Sequence, residues 1–343
     1  MSDFFPATNA SADDPASAPV PPPTAWAQVD APVATPRSVA AQPSTTARRP
    51  IRLRRSRNHV LSSLDDGGKM LQRRGRDFLV GSSLLLLPVV ALNLWATAVA
   101  FDRGGSTTLT AFGGDDVGTG IDDVAAVLAV VCASFAAAAV GCFAATVLVS
   151  DRFGAPVGLW LALRSVVRRL PAVLVAWVIG HFWVPFFATW ALASRSGGVG
   201  GRLLVVLPIG ALLSATTLYT IPVMVAERTG PLRSLKRSWR LARMRSVASF
   251  GFVGASSLLG SLLFAGISFL PALAESGGFI TFGSYMWLAQ GITGQLAVII
   301  VVPLVALATA EMYLAVRLDA EGLDIALHAD AAFGQRDASR PCW

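Results

Sequence analysis

Lysine occurs only twice in the 343 residues, at Lys69 and Lys236, and histidine three times, at His59, His181 and His328. Cysteine is as scarce: Cys132, Cys142 and Cys342. Three thiols do not build a disulfide framework. Cys132 and Cys142 share one apolar stretch, about 15 Å apart if it is helical, too far to bridge. With no CxxC and no cluster of Cys and His, no metal site of the usual spacing is expected. Serine, histidine and acidic residues assemble into no triad order, and no Gly-rich phosphate loop opens a helix. These gaps point away from an enzyme and from a resident cofactor. Charge is scarce as well: 14% of residues are Asp, Glu, Lys or Arg, against about 25% in a soluble domain. With 54% hydrophobic residues and a mean hydropathy of +0.59, the chain has more apolar surface than a fold of this length hides from water. Lipid must take part of it.

That surface falls into six continuous runs: Phe78–Phe101, Val124–Ser150, Pro171–Ser194, Leu203–Ala226, Val247–Leu273 and Ile292–Val316, the last starting as early as Met286. Each exceeds the roughly 20 residues a helix needs to cross the hydrocarbon core. Continuous runs favour helices over the short alternating segments of a membrane barrel. The expected fold class is therefore all-α: a polytopic membrane bundle of six transmembrane helices arranged as three hairpins.

Basic residues orient it. The segments on one side hold only Arg103, Arg195 and Arg202, beside Asp102, Asp115, Asp116, Asp122, Asp123 and Glu275; the other 25 of the 28 Lys and Arg lie on the opposite side. The positive side faces the cytoplasm, so both termini are expected inside. Trp95, Trp190 and Trp287 then fall near outer helix ends, where aromatic belts form. This topology also accounts for a pI near 10.1 without a nucleic-acid partner, for which no motif is present.

The flanks are short. Residues 1–50 are rich in Ala, Pro, Ser and Thr, have no apolar period, and read as a disordered cytoplasmic tail. No charged n-region and apolar h-region open the chain, so no cleavable signal peptide is expected. Six arginines between Arg48 and Arg57 suit an anionic headgroup surface. The membrane domain is placed at 51–328 and a short cytoplasmic tail at 329–343.

A weak internal repeat runs through the membrane domain. The second run exits as Ser150-Asp151-Arg152-Phe153-Gly154 and the fourth as Ala226-Glu227-Arg228-Thr229-Gly230, with a looser third version ending Asp319-Ala320-Glu321-Gly322. Basic stretches follow the first two, containing Arg164-Ser165 and Arg237-Ser238. Leu232, Leu235, Trp239 and Ala242 share one helical face, opposite Arg233, Lys236, Arg237 and Arg240. Trp160, Leu163, Val167 and Leu170 repeat that spacing before the third run. Leu61, Leu64, Gly68 and Leu71 repeat it before the first, where Gly67-Gly68 weakens the helix. The pattern predicts three units, each a basic amphipathic interfacial helix followed by a hairpin. Arg164, Arg168, Arg169, Arg233, Lys236, Arg237 and Arg240 are the candidate contacts to anionic membrane lipid.

The stretch Leu235-Lys236-Arg237-Ser238-Trp239-Arg240-Leu241 and the exit from Glu311 to Asp324, through Tyr313, Arg317 and Glu321, resemble a six-helix bacterial membrane family. It is called the glycerophosphoryl diester phosphodiesterase membrane domain. The resemblance covers about residues 50–328 and implies a multi-pass protein of the bacterial plasma membrane. It implies no activity, because hydrolysis in the relatives that give the name resembles the work of a separate soluble barrel. No catalytic residue carries over. The Ala/Pro tail departs from the pattern and points to a partner of its own; for the chain as a whole, membrane lipid and an envelope protein are the expected partners.

Two ionisable residues lie well inside the runs, where charge is costly. His181 sits among Trp177, Phe182, Trp183, Phe186 and Phe187. It suits a proton relay or a ligand contact, or else a neutral imidazole bonded to a neighbouring helix. Glu311 lies six residues before Arg317, about 9 Å inside the helix end. It suits a coupling carboxylate, or else a pair with an arginine of an interfacial helix. Two functions follow: a non-catalytic, lipid-facing or envelope-assembly module, or a small-molecule transporter using His181 and Glu311.

Overall fold

A computed structural model describes residues 58–102, 120–181, 183 and 199–323. The described residues form helices joined by short turns, with no strand among them. In chain order the helices are α1 (His59–Arg73), α2 (Gly75–Asp102), α3 (Gly120–Arg152), α4 (Leu159–His181), α5 (Val199–Thr217), α6 (Thr220–Ala226), α7 (Pro231–Met244), α8 (Ser246–Ser268), α9 (Leu270–Ser276) and α10 (Met286–Glu321). One 3₁₀ turn, Gly283–Tyr285, precedes α10. Five segments are long and apolar enough to cross a membrane: Gly75–Trp95, Leu128–Arg152, Pro208–Ala226, Ser246–Ser268 and Gly283–Glu321. The protein is thus a multi-pass membrane protein by the length and composition of its helices. Of the third expected span, Pro171–His181 lies in α4, and most of the rest falls outside the described residues. So do the tails at 1–50 and 329–343, the arginine run, Trp190, Arg103 and Arg195.

Proline sets the breaks. Pro222 has no N–H to give to the carbonyl of Leu218, and its ring crowds that carbonyl. The fourth span accordingly divides at Leu218–Tyr219 into α5 and α6. Pro271, in the first turn of α9, marks the division of the fifth expected span at Phe269. Pro88 and Pro303 stay inside α2 and α10 without ending them.

The antiparallel neighbours are read from paired contacts. Phe78 meets Phe143 edge-on at 5.7 Å between α2 and α3. The Trp177 indole donates to Ser134 Oγ at 3.0 Å between α4 and α3. Thr293 Oγ1 lies 3.4 Å from the Ser268 carbonyl between α10 and α8. The densest core lies at one end of the bundle, where Val140–Leu148, Tyr219–Val225 and Leu307–Leu318 are largely buried together. Toward the other end α8 and α10 expose Leu258, Leu262, Ile292 and Leu296, a surface made for lipid chains.

The basic stretches depart from expectation. None stands apart from the spans; each packs along a neighbouring helix. α1 runs lengthwise and antiparallel along the end of α10: His59 reaches Asp319, Ser63 lies 3.6 Å from the Met312 sulfur, and Gly67 abuts the Ala308 backbone. α7 folds back along α6 in the same way, from Thr229–Ser234 to Ser238–Tyr219. The second stretch is not a separate helix but the first turns of α4, continuous through Pro171. Burying the inner core outweighs leaving each amphipathic helix on a membrane surface alone. The buried face of α7 is Ser234, Ser238, Leu241 and Ala242, while Leu232 and Trp239 are exposed. On α1 it is Ser63, Gly67 and Met70. Small polar residues face the bundle because they let helix axes approach closely.

The three basic stretches close a circle. The start of α4 packs on α3, α7 packs on α6, and α1 closes the circle by packing on α10. Each therefore covers one end of the helix it packs on: α3, α6 and α10 in turn. The corners α1–α2 and α7–α8 also match: Arg74 has φ −123° and ψ 28°, and Arg245 has φ −133° and ψ 48°. The exits agree less well. Gly154 takes a positive φ of 76° after α3, whereas Arg228 does so after α6, at 51°, leaving Gly230 extended.

Candidate functional site

The last three turns of α10 carry Glu311, Tyr313, Arg317, Asp319 and Glu321, and every one of these side chains engages a charged or polar partner. Arg317 and Glu321 form a closed ring with Glu227 and Arg237. Arg237 on α7 donates to Glu227 Oε1 at 3.2 Å and to the Glu321 carboxylate at 2.6 Å. Arg317 donates to Glu321 Oε2 at 3.0 Å and lies 3.6 Å from Glu227 Oε1. Two carboxylates and two guanidiniums alternate, so the ring carries no formal net charge. Tyr313 sits within it, donating to Glu227 Oε1 at 3.1 Å while Arg317 Nη1 approaches its oxygen at 3.2 Å. The ring ties α6, α7 and α10 together.

A second link runs from α3. Arg152 holds Glu311 Oε1 through two nitrogens, the Nε contact being 2.9 Å. The glutamate is almost completely buried. Its partner thus comes from the exit of the second span, not from an arginine of an interfacial helix as expected. A carboxylate engaged by two N–H donors of one guanidinium is strongly oriented, and it is a poor carrier for a mobile proton or cation.

The third link joins α1 to the α7–α8 corner. Asp319 accepts from Arg245, and His59 Nε2 lies 3.4 Å from the same carboxylate. Burial, with Arg245 adding to it, holds the His59 imidazole below its ordinary pKa. With the positive corner beside it, the ring is held neutral.

His181 ends α4 and stacks on Trp183, with ring centroids 6.3 Å apart. Its Nδ1 is buried without a hydrogen-bond partner among the described residues. The structure gives no contact between His181 and Glu311: the histidine is at the far end of α4, and the glutamate is held by Arg152 near the inner end. Of the candidate lipid contacts, Arg164, Arg168, Arg233, Lys236 and Arg240 are exposed. Arg237 is consumed by the ring. Arg169 is partly buried and lines an open cavity of about 350 Å³ with Ala172, Met224, Arg228 and Thr229. The two Arg-Ser pairs are not equivalent: Ser238 is buried between helices, while Ser165 only donates to the Ala162 carbonyl of its own helix.

Sequence reasoning missed Glu227, Tyr313, Arg317 and Glu321 as a connected set, and Arg152 as the partner of Glu311. A signal was present in the charged exits themselves, because an acid and a base recurring at three inner helix ends can pair crosswise. The described residues contain no cluster of three or more His, Cys, Asp or Glu side chains able to hold a metal ion. Compared with known proteins, the chain matches no family model, no curated protein and no solved structure.

Proposed function

We propose that this chain is a non-catalytic integral membrane protein of the bacterial plasma membrane, a lipid-facing or envelope-assembly module that works against anionic phospholipid at the inner leaflet. In this reading six helices span the bilayer as three hairpins, the third span continuing from α4. Each hairpin follows a basic amphipathic stretch at the membrane interface, and both termini are cytoplasmic. The layout kinship with the glycerophosphoryl diester phosphodiesterase membrane domain is part of the same proposal, and it adds no activity.

The supporting observation is the mixed outer face of α4 and α7. Trp160 is 78% exposed and Trp239 56%, each among exposed cations: Arg164 and Arg168 on α4, Arg233, Lys236 and Arg240 on α7. An amphipathic ring beside guanidiniums suits the headgroup layer, which takes both apolar and cationic groups. Basic residues near an anionic surface contribute about 1 kcal/mol each. The alternative, a small-molecule transporter using His181 and Glu311, is weakened by the commitment of Glu311 to Arg152.

The test is lipid enrichment. The full chain would be extracted with native membrane into nanodiscs and its lipid compared with bulk membrane. A variant with Arg164, Arg168, Arg233, Lys236 and Arg240 all changed to Gln would be compared in the same way. Anionic lipid should be enriched around the wild type and fall toward the bulk fraction in the variant. Equal enrichment in both would reject the proposal.

A further inference from the structure

The cavity beside the ion-pair ring has the features of a receptor for one particular chemical group. Arg169 comes from α4, two residues before the apolar run begins, and Arg228 and Thr229 come from the turn that ends α6. Ala172 and Met224 supply an apolar floor. Two guanidiniums converging on one open cavity make a donor set for a tetrahedral oxyanion, since the planar fork of arginine matches phosphate oxygens; the Thr229 hydroxyl beside them is engaged by Ser234 Oγ at 2.8 Å. The nearest acid on the chain, Glu227, is taken by Arg237, Arg317 and Tyr313. Its charge is therefore balanced elsewhere. Arg169 Nη1 is buried and has no hydrogen-bond partner among the described residues, a donor left for a ligand to satisfy. Arg228 holds a left-handed backbone at φ 51°, a conformation that costs a side-chain-bearing residue and persists at sites that use it.

The surroundings indicate what carries the phosphate. Ala172, Val175 and Ile179 share one face of α4 at spacings of three and four. Val175 and Ile179 are exposed. A greasy track therefore leads from the cavity floor along the helix toward the bilayer. A free ion has no use for such a track; an acyl chain does.

We propose that this cavity binds the phosphate group of a single anionic phospholipid, with Arg169 and Arg228 on the headgroup and the Ala172–Val175–Ile179 face against a chain. This rests on the lipid-facing reading above and sharpens it from a surface preference to a stoichiometric site.

Native mass spectrometry of the detergent-solubilised full chain tests it, titrating phosphatidylglycerol, phosphatidylcholine and inorganic phosphate separately. The wild type should retain one phosphatidylglycerol, roughly tenfold more tightly than phosphatidylcholine. Arg169→Gln should lose that preference, and Ala172→Leu, which fills the floor and keeps both guanidiniums, should weaken retention as well. Arg168→Gln, on the exposed neighbour, should retain the lipid. Retention unchanged in Arg169→Gln and Ala172→Leu overturns the site. Binding of inorganic phosphate without retention of lipid overturns the lipid assignment. Bulk enrichment in nanodiscs with no single retained lipid rejects this site and leaves the broader reading standing; a retained lipid without bulk enrichment does the reverse.

Discussion

Ser238 closes the break in the fourth span by serving Tyr219. Its hydroxyl accepts the Tyr219 N–H at 3.1 Å and donates to the Thr216 carbonyl at 2.9 Å. Pro222 interrupts the helix here, and a backbone donor and acceptor are left without their usual partners. In a low-dielectric setting neither can be abandoned. One side chain from the following helix satisfies both, and Tyr219 OH makes a further bond of 2.8 Å to Ser249 on α8. The interruption of one span has thereby become the docking point for the next unit.

Replacing Ser238 with Ala should therefore cost about 1–3 kcal/mol, the penalty for stranding buried polar groups. Ser165→Ala, at the matching sequence position of the other Arg-Ser pair, should stay within about 0.5 kcal/mol. Thermal unfolding in detergent, followed by tryptophan fluorescence, separates the two. Equal effects would mean that Ser238 is not bridging the break.

The Arg152–Glu311 pair makes a stricter prediction. Removing either partner alone leaves a buried charge uncompensated, at a cost of about 3–5 kcal/mol. Replacing both with Met should recover most of that loss, because the pair's Coulombic gain is largely offset by its desolvation. A double-mutant cycle in unfolding free energy measures the coupling. Additive single effects would show that the two side chains do not act as a pair.

The amphipathic stretches illustrate what was readable beforehand and what was not. Long apolar runs and one-sided charge make a multi-pass helical protein legible, because lipid imposes length and backbone closure on every span. The faces of the basic helices were legible only in part. A wheel identifies an apolar stripe but does not say whether lipid or protein covers it. On α7 the stripe of Leu232 and Trp239 faces outward, and the serines dock. The ion-pair ring was hidden for a related reason: Glu227, Arg237, Arg317 and Glu321 are distant in sequence, and only the packing of α6, α7 and α10 brings them together.

Gly67 and Gly68 look interchangeable in sequence and should behave oppositely. A Cβ on Gly67 would lie 2.9 Å from the Ala308 nitrogen, against backbone that cannot yield easily. Gly67→Ala should then destabilise by about 1–3 kcal/mol through overpacking. Gly68 has nothing within 4 Å, so Gly68→Ala should stabilise α1 by about 0.5–1 kcal/mol. Unfolding midpoints of the two variants give the answer; the same sign for both would show that α1 does not pack on α10 through Gly67.

Topology can be checked independently of packing. Reporter fusions within 102–122 and within 195–202 should report the outer side of the membrane, as the positive-inside distribution requires. A cytoplasmic signal from either segment would overturn the six-span arrangement.

His59 should make stability depend on pH in a defined direction. Burial and Arg245 hold its pKa below the ordinary 6.5, so the folded state prefers the neutral ring. Asp319, 3.4 Å from Nε2, favours the charged form, but its carboxylate is already held by Arg245. The unfolded chain takes up the proton more readily, so the contribution is present above pH 6.5 and is lost as pH falls through the lower folded value. Between about pH 7 and pH 5 the unfolding midpoint should drop, and His59→Gln should flatten that slope. A midpoint that rises on acidification in the wild type, and not in His59→Gln, would show that Asp319 outweighs burial and Arg245 at this corner.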